Sequence, residues 1–373
     1  MAPQTSGRHT NREETEMNRL LTAALAALGL ALPLLGNAAQ ARAETVNATV
    51  VAGHPPVFRW VKMFPEAFEP AVNAALEGTG NSFAFTDQFG GSIAGVGEEL
   101  EAVEEGLAEI GTIQALFDPA KLALQNVTYY TPFVTADPNL IVKVVDKLHR
   151  DDERMTAAYT QNNIVYLGGP IAIDDYLLMT NFPVKSLDDL KGRKIAAPGA
   201  AINWLSGTGA VGVAGNLTTY YNEIKTGVYD GVLVFASAAL PGKLYEVAPY
   251  ITKVGLGAQF AGAIGANKDW YDGLPADMQA ALKKGADAAS QWYLTALTAA
   301  VDNALTKMGE AGATIADASP EMRAAWASGM DNVALNWANK LEGDGIPAKG
   351  LLSAYMDAMR AAGATPLRDW DKE

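Results

Sequence analysis

Strand-like and helix-like segments alternate along most of this chain, and that order admits few folds. "TVNATVVAGH" carries a β-branched run from Thr45 to Val51 that ends at Gly53-His54-Pro55-Pro56, a strand passing into a helix start. Trp60, Phe64, Ala67, Phe68 and Ala71 then recur at helical spacing up to Gly78. "NSFAFTDQFGGS" reads as a second strand and a glycine turn, Gly97 to Gly106 as an acidic amphipathic helix, and "EIGTIQA" as a third strand. The βαβαβ order calls for a parallel sheet covered by helices. A second round follows: Ile164 to Leu167 and Tyr176 to Thr180 as strands, "SLDDLKG" as a short helix capped by Ser186 and ended by Gly192, and "RKIAAPG" as another strand and turn. Thr218 to Gly227 reads as a helix with an N-cap Thr, and "VYDGVLVFA" as the next strand.

From Leu274 to Gly309, Met278, Leu282, Ala286, Ala289, Tyr293, Leu297, Val301, Leu305 and Met308 recur every three or four residues. A helix of that length is ~50 Å long, enough to span two lobes. The expected fold class is therefore α/β: two lobes with one long helix across both. We place residues 44–173 with 260–300 in the first lobe and 174–259 with 301–373, a tail of further helix, in the second.

Residues 1–43 read as an upstream extension plus a signal peptide. Met17-Asn18-Arg19, the expected start, opens an apolar run, Leu20 to Leu35, and Ala41-Arg42-Ala43 fits the small-x-small cleavage rule. The run is shorter than the roughly 20 residues that span a bilayer, so export is expected, with Glu44 leading the mature chain. Beyond residue 43 the chain holds 24 basic and 39 acidic residues, since four of 28 Lys and Arg and three of 42 Asp and Glu precede it. That surplus of acid argues against nucleic acid as a partner. With no Cys there is no disulfide, thiol catalysis or Cys-based metal site, and no metal or cofactor is expected.

Several motifs invite chemistry. "GTGAVG", Gly207 to Gly212, fits G-x-G-x-x-G, with Asp230 near where a ribose-binding acid would sit, but no strand runs directly into Gly207, so helix-end glycines are the better reading. Beyond residue 43 only His54 and His149 remain, and neither G-x-S-x-G nor H-E-x-x-H occurs, which leaves acyl transfer and zinc proteolysis without residues. Adjacent acids such as Glu104-Glu105 read as solvated faces, whereas Asp174-Asp175 enters the second lobe and is a pocket candidate. Aromatics gather where strands meet helices: Phe58, Trp60, Phe89, Tyr176, Trp204, Tyr220, Tyr221 and Phe235. Pockets in open α/β sheets lie off the carboxyl ends of the strands, where His54, Gln114, Ala196 to Asn203 and Phe235 to Ser237 fall.

Three segments together resemble the solute-binding proteins of tripartite ATP-independent periplasmic (TRAP) transporters, in the branch with dicarboxylate and sialic acid binders. They are "FGGSIAGVGEELEAVEEGLAEIG", "SLDDLKGRKIAAPG" and "YYNEIKTGVYDGVLVFASAALPGKLYEVAPYITK", and "YDGLPADMQ" resembles the start of the family's long helix. The resemblance covers nearly the whole mature chain. It implies a two-lobed periplasmic-binding-protein-like fold whose lobes close over a solute in the periplasm and deliver it to small and large membrane subunits, with no catalysis and no nucleotide site; a monomer is expected. It also implies that an Arg after "DLKG.K" grips the solute's carboxylate. Here Lys194-Ile195 is followed by Ala196; a second Arg of the sialic acid group aligns with Tyr176, and an Asn after Asp-Gly aligns with Val234.

Carried over position by position, the resemblance points to His54, Gln114, Asn203, Trp204, Leu217, Phe235 and Ser237 at the cleft. With the residue-level candidates, the expected site is His54, Phe58, Arg59, Trp60, Phe89, Gln114, Asp174, Tyr176, Ala196, Asn203, Trp204, Phe235 and Ser237. Two ligand classes stay open. Either an organic acid is held by Arg59 or Arg193 in place of the missing Arg, or a neutral or cationic solute is held by Trp60, Tyr176, Trp204 and Asp174. Outside this class stand a secreted enzyme, which lacks a nucleophile–base pair, and a sensory binding protein.

Overall fold

The computed structural model describes Met1, Pro3 and residues 44–373. The expected signal peptide and its cleavage site lie outside these residues. Two sheets organise residues 45–373. The first contains β1 (Thr45–Ala52), β2 (Ser82–Phe89), β3 (Ile110–Ile113), β4 (Ile164–Ile173) and β10 (Gln259–Asn267), in the order β2-β1-β3-β10-β4. The second contains β5 (Tyr176–Thr180), β6 (Lys194–Ala197), β7 (Val211–Ala214), β8 (Gly231–Phe235), β9 (Tyr250–Lys253) and β11 (Thr314–Asp317), in the order β11-β9-β5-β8-β6-β7. Strands β1, β2 and β3 are parallel, as are β6, β7 and β8, which follows from the helical crossovers read in the sequence.

Two strand crossings join the lobes, and the long helix, between β10 and β11, makes a third connection. β4 continues through Asp174-Asp175 into β5, and β9 returns through 254–258 into β10, which pairs antiparallel with β4 from Gln259 opposite Ile173 to Asn267 opposite Ile164. The crossings are tied where they pass: Tyr176 N donates to Gly257 O at 3.3 Å, and Gly257 N donates to the Asp175 carboxylate at 2.7 Å. The expected strand Ile164 to Leu167 is thus the first part of a ten-residue strand. Its continuation through Gly168-Gly169-Pro170 was hidden by turn-type residues.

The long helix is Ala276–Glu310. Gly285 brings it against residues 68–72, since a Cβ there would lie 2.3 Å from Val72 Cγ2. Tyr293 donates to Ala172 O at 2.7 Å, beside the crossing, while Ala304 and Met308 enter the core on the outer face of the second sheet. That core also takes Leu177, Ala196, Tyr220, Val232 and Val234, whereas Ile195, Ala197, Leu233 and Phe235 face the larger core shared by both lobes. The period-two alternation along β6 thereby sends Ala196 to the far side of its sheet from Ile195.

Two local expectations shift. "SLDDLKG" forms a single 3-10 turn, Leu187–Leu190, in which Asp189 accepts Ser186 N at 2.9 Å. The helix Tyr220–Lys225 has no side-chain cap at Thr219; Asn216 instead accepts Thr218 N at 2.9 Å. The tail, expected with the second lobe, touches both. Trp326 Nε1 donates to Trp204 O at 2.6 Å, whereas Trp337 stacks on Tyr130 at 5.1 Å and Trp370 Nε1 donates to Pro132 O at 2.6 Å. The helix Ala348–Ala361 packs on Pro138–Asp151 of the first lobe.

The first glycine of "GTGAVG" serves this packing. Gly207 has φ +76°, and a Cβ there would lie 2.0 Å from Gly329 O. Gly207→Ala should therefore separate the second lobe from the tail helix Pro320–Gly329 and lower the melting temperature by several degrees, read by calorimetry. An unchanged melting temperature would show that this approach carries no strain.

Candidate functional site

A pocket lies between the lobes, with about 420 Å³ of empty space that includes its opening to solvent. It sits off the carboxyl ends of β1, β3, β6 and β8, where an open α/β sheet leaves backbone ends and loops free to meet a ligand. From the first lobe come His54 just past β1, Trp60 on the first helical turn, Gln114, Leu116 and Phe117 past β3, and Tyr129. From the second come Tyr176 at the start of β5, Pro198 past β6, Asn216, Leu217 and Tyr220, and Leu233 to Phe235 at the end of β8. Both lobes contribute walls, so the cleft is closed over the cavity. Closure brings backbone to backbone at Gly199: with φ +48°, a Cβ there would lie 2.6 Å from Leu116 O.

The walls are layered aromatics. Phe58 stacks on Trp60 at 4.7 Å, and His54 meets both rings edge-on at 5.6 and 5.3 Å. Across the cleft Phe235 lies 6.0 Å from Trp60 and 5.3 Å from Tyr176. Tyr129 stacks on Trp204 at 5.7 Å, and its hydroxyl pairs with that of Tyr176 at 3.0 Å. Burial pushes both phenols up, so they remain neutral donors.

His54 Nδ1 lies 3.4 Å from Gln114 Nε2, and burial lowers the imidazole pKa to about 4. It is therefore neutral at neutral pH. The turn that carries it is fastened by Glu99, whose carboxylate accepts Gly53 N at 2.9 Å and Gly97 N at 2.6 Å and whose pKa burial pushes up to about 7. No Asp, Glu, Lys or Arg lines the cavity among the described residues.

Of the expected residues, His54, Trp60, Gln114, Tyr176 and Phe235 line the cavity. Phe58 and Trp204 form the layer behind, the latter with its Nε1 donating to Tyr129 O at 2.7 Å. Ala196 lies on the outer face of the second sheet, packed with Tyr220 and Val234, not on the wall. Phe89 stacks on Phe64, outside the wall. Asn203 faces a different groove, with Tyr130, Ser206, Asp331 and Trp337, because Gly199–Leu205 is a 3-10 run that turns successive side chains apart.

Asp174 and Ser237 are spent on each other. Asp174 accepts both the Ser237 hydroxyl and, at 3.2 Å, its N–H, fastening β5 to the end of β8 beneath the cavity; burial pushes its pKa up to about 6. Arg59 is half-buried at the helix start and lies outside the wall. Arg193 is on the surface, its guanidinium 4.3 Å over Phe182 and 3.9 Å from Asp230, which also accepts Lys194 N at 2.8 Å. Asp230, the would-be ribose acid, is thereby occupied. Tyr129, Phe117 and Asn216 join the wall without having been singled out; for Tyr129 the only hint is the Tyr-Tyr pair in "NVTYYTPF".

The sequence matches the DctP family model, described as bacterial extracellular solute-binding protein, family 7, over residues 57–340. It is 26% identical over 340 residues to the C4-dicarboxylate-binding periplasmic protein DctP of Rhodobacter capsulatus, covering 88% of this chain and 97% of that one. It is 27% identical over 259 residues to a solute-binding protein of Sulfitobacter sp. strain NAS-14.1, covering 65% and 76%. An extracytoplasmic solute receptor of Bordetella pertussis that binds pyroglutamic acid shares the fold with a TM-score of 0.74 at 18% identity, covering 85% of this chain and 100% of that one. The ectoine-binding protein of the TeaABC TRAP transporter of Halomonas elongata does so with a TM-score of 0.72 at 18% identity, covering 84% and 99%.

Buried carboxyls set a pH dependence. A carboxyl raised in the folded state stabilises the protein below its ordinary pKa and loses that contribution as pH rises through the folded value. Glu99 is raised from 4.5 to about 7 by burial, and Glu69, half-buried beside Asp87, from 4.5 to about 8. His54 and His149, both lowered from 6.5 to about 4, act oppositely, but their contribution is complete by about pH 7. The melting temperature should therefore fall from pH 7 to pH 8.5, and Glu99→Gln should shallow the fall. A melting temperature that rises over this range would refute the assignment.

Proposed function

The chain belongs to the DctP family of bacterial extracellular solute-binding proteins, and from that premise we propose that it is the periplasmic subunit of a TRAP transporter capturing a small organic solute without net negative charge. It binds by closure: contacts from both lobes stabilise the closed state, which is then presented to the membrane subunits. The protein acts as a monomeric receptor, and turnover of the solute is not part of its role.

The observation that carries the charge assignment is the uncharged wall. A carboxylate buried without a cation or a full set of donors costs several kcal/mol. Of the positions aligned with polar or anion-binding residues, Tyr176 and Val234 lie on the wall and carry no charge, and burial keeps His54 neutral. An aromatic enclosure of this kind suits a neutral body or a cation over ring faces.

A second reading keeps an acid as the solute, in line with the pyroglutamate-binding receptor of Bordetella pertussis. Its support is Arg59, one residue before Trp60 and half-buried at the head of the same helix.

Thermal-shift screening of neutral compounds, amines and organic acids separates the two. A ligand at 100 times its Kd stabilises by about 2.7 kcal/mol. Shifts are expected with neutral or cationic compounds and should survive Arg59→Ala. Shifts with acids alone, lost in Arg59→Ala, would establish the second reading instead.

A further inference from the structure

Three polar atoms buried in the cavity wall have no hydrogen-bond partner: His54 Nε2, Trp60 Nε1 and Gln114 Oε1. Buried polar groups are nearly always paired, so three orphans on one cavity mark where a ligand's polar atoms belong. Their chemistry is defined. The indole nitrogen only donates. When the Gln114 amide nitrogen donates to His54 Nδ1, the ring proton sits on Nε2, leaving a donor on His54 and an acceptor on Gln114. When the amide is turned round, Nδ1–H donates to its carbonyl, leaving an acceptor on His54 and a donor on Gln114. Both arrangements present the same set of two donors and one acceptor.

The hydroxyls of Tyr129 and Tyr176 share one hydrogen bond, which leaves the second O–H proton over, and Asn216, whose carbonyl accepts from Thr218, keeps its amide N–H groups, so these residues add donors around the lone acceptor. Much of the remaining wall is apolar: Leu116, Ile173, Leu217, Leu233, Val234 and Ala261. A carboxylate offers no proton to the lone acceptor. An ammonium offers no lone pair to the two donors. A polyol satisfies the three atoms but strands its other hydroxyls against aliphatic carbon. We infer that the cleft recognises an uncharged cyclic amide or imide, whose flat ring lies among the aromatic walls and whose C=O and N–H groups meet Trp60, His54 and Gln114. This rests on the reading above, that the solute carries no net negative charge.

Isothermal titration of the whole protein with 2-piperidone, succinimide and uracil, against δ-valerolactone as a ring without the N–H, tests it. At least one amide or imide should bind ten-fold or more tightly than the lactone. Trp60→Phe, which keeps an aromatic ring but deletes the orphan donor together with part of the indole, should weaken that binding about ten-fold in a protein that still folds. Gln114→Met should weaken it similarly. Failure of all three amides to bind, equal binding of the lactone, or unchanged affinity in a Trp60→Phe protein that melts normally would each overturn the inference. Amines or polyols binding in place of the amides would leave the uncharged-or-cationic reading standing, whereas binding of organic acids alone would remove both.

Discussion

The pair of crossings beneath the cavity is the constraint on which the rest depends. β4 into β5 and β9 into β10 carry the chain between sheets in opposite directions, and their passage is fixed by Asp174 and Asp175, neighbours that point to different partners. Asp175 accepts Gly257 N from the returning segment, whereas Asp174 accepts the Ser237 N–H and hydroxyl and so ties β5 to β8. The first bond sets how the two crossings lie together; the second sets where the ends of β5 and β8, and therefore Tyr176 and Phe235, stand in the cleft. Both carboxyls are buried, and burial pushes each up to about 6. Their hydrogen bonds offset the desolvation of two adjacent acids at the pivot.

Much of the fold was legible because it rests on local periodicity. The β-branched run at Thr45, the alternation along Lys194–Ala197 and the apolar stripe of Ala276–Glu310 each declare an element without tertiary help. His54, Gln114 and Phe235 were legible as cleft residues for a related reason: each ends a strand or follows one, and the parallel strands within each sheet fix which ends face the cleft. The bond of Asp174 to Ser237 was not legible, because the two are 63 positions apart and no local pattern announces the pair. Asn203 was misread because a 3-10 run rotates side chains by about a third of a turn per residue, so a register right for Trp204 sends its neighbour to another groove.

Ala196 changes meaning in the structure. In the aligned sequence it is an absence, a missing cation; in the fold it is a small residue on the outer face of β6, packed with Tyr220, Val232 and Val234. Tyr220 and Val234 in turn form part of the cavity wall. The small side chain and the aromatic wall thus belong to one packing arrangement, in which volume given up on β6 lies beside ring surface at the cleft.

The tail gives the molecule a further property. Its indoles are anchored at two places that do not belong to the same lobe, Trp326 on the Trp204 carbonyl and Trp370 on the Pro132 carbonyl, with helices and short connections between. A tether fastened on both sides of a joint acts as a stop. Rotation about the crossings can proceed only as far as the connections between residues 326 and 370 flex, and beyond that angle one indole bond must break. The arc available to the open receptor is in this sense a length written into the carboxyl-terminal segment, and the motion resembles a door on a chain more than one swinging free.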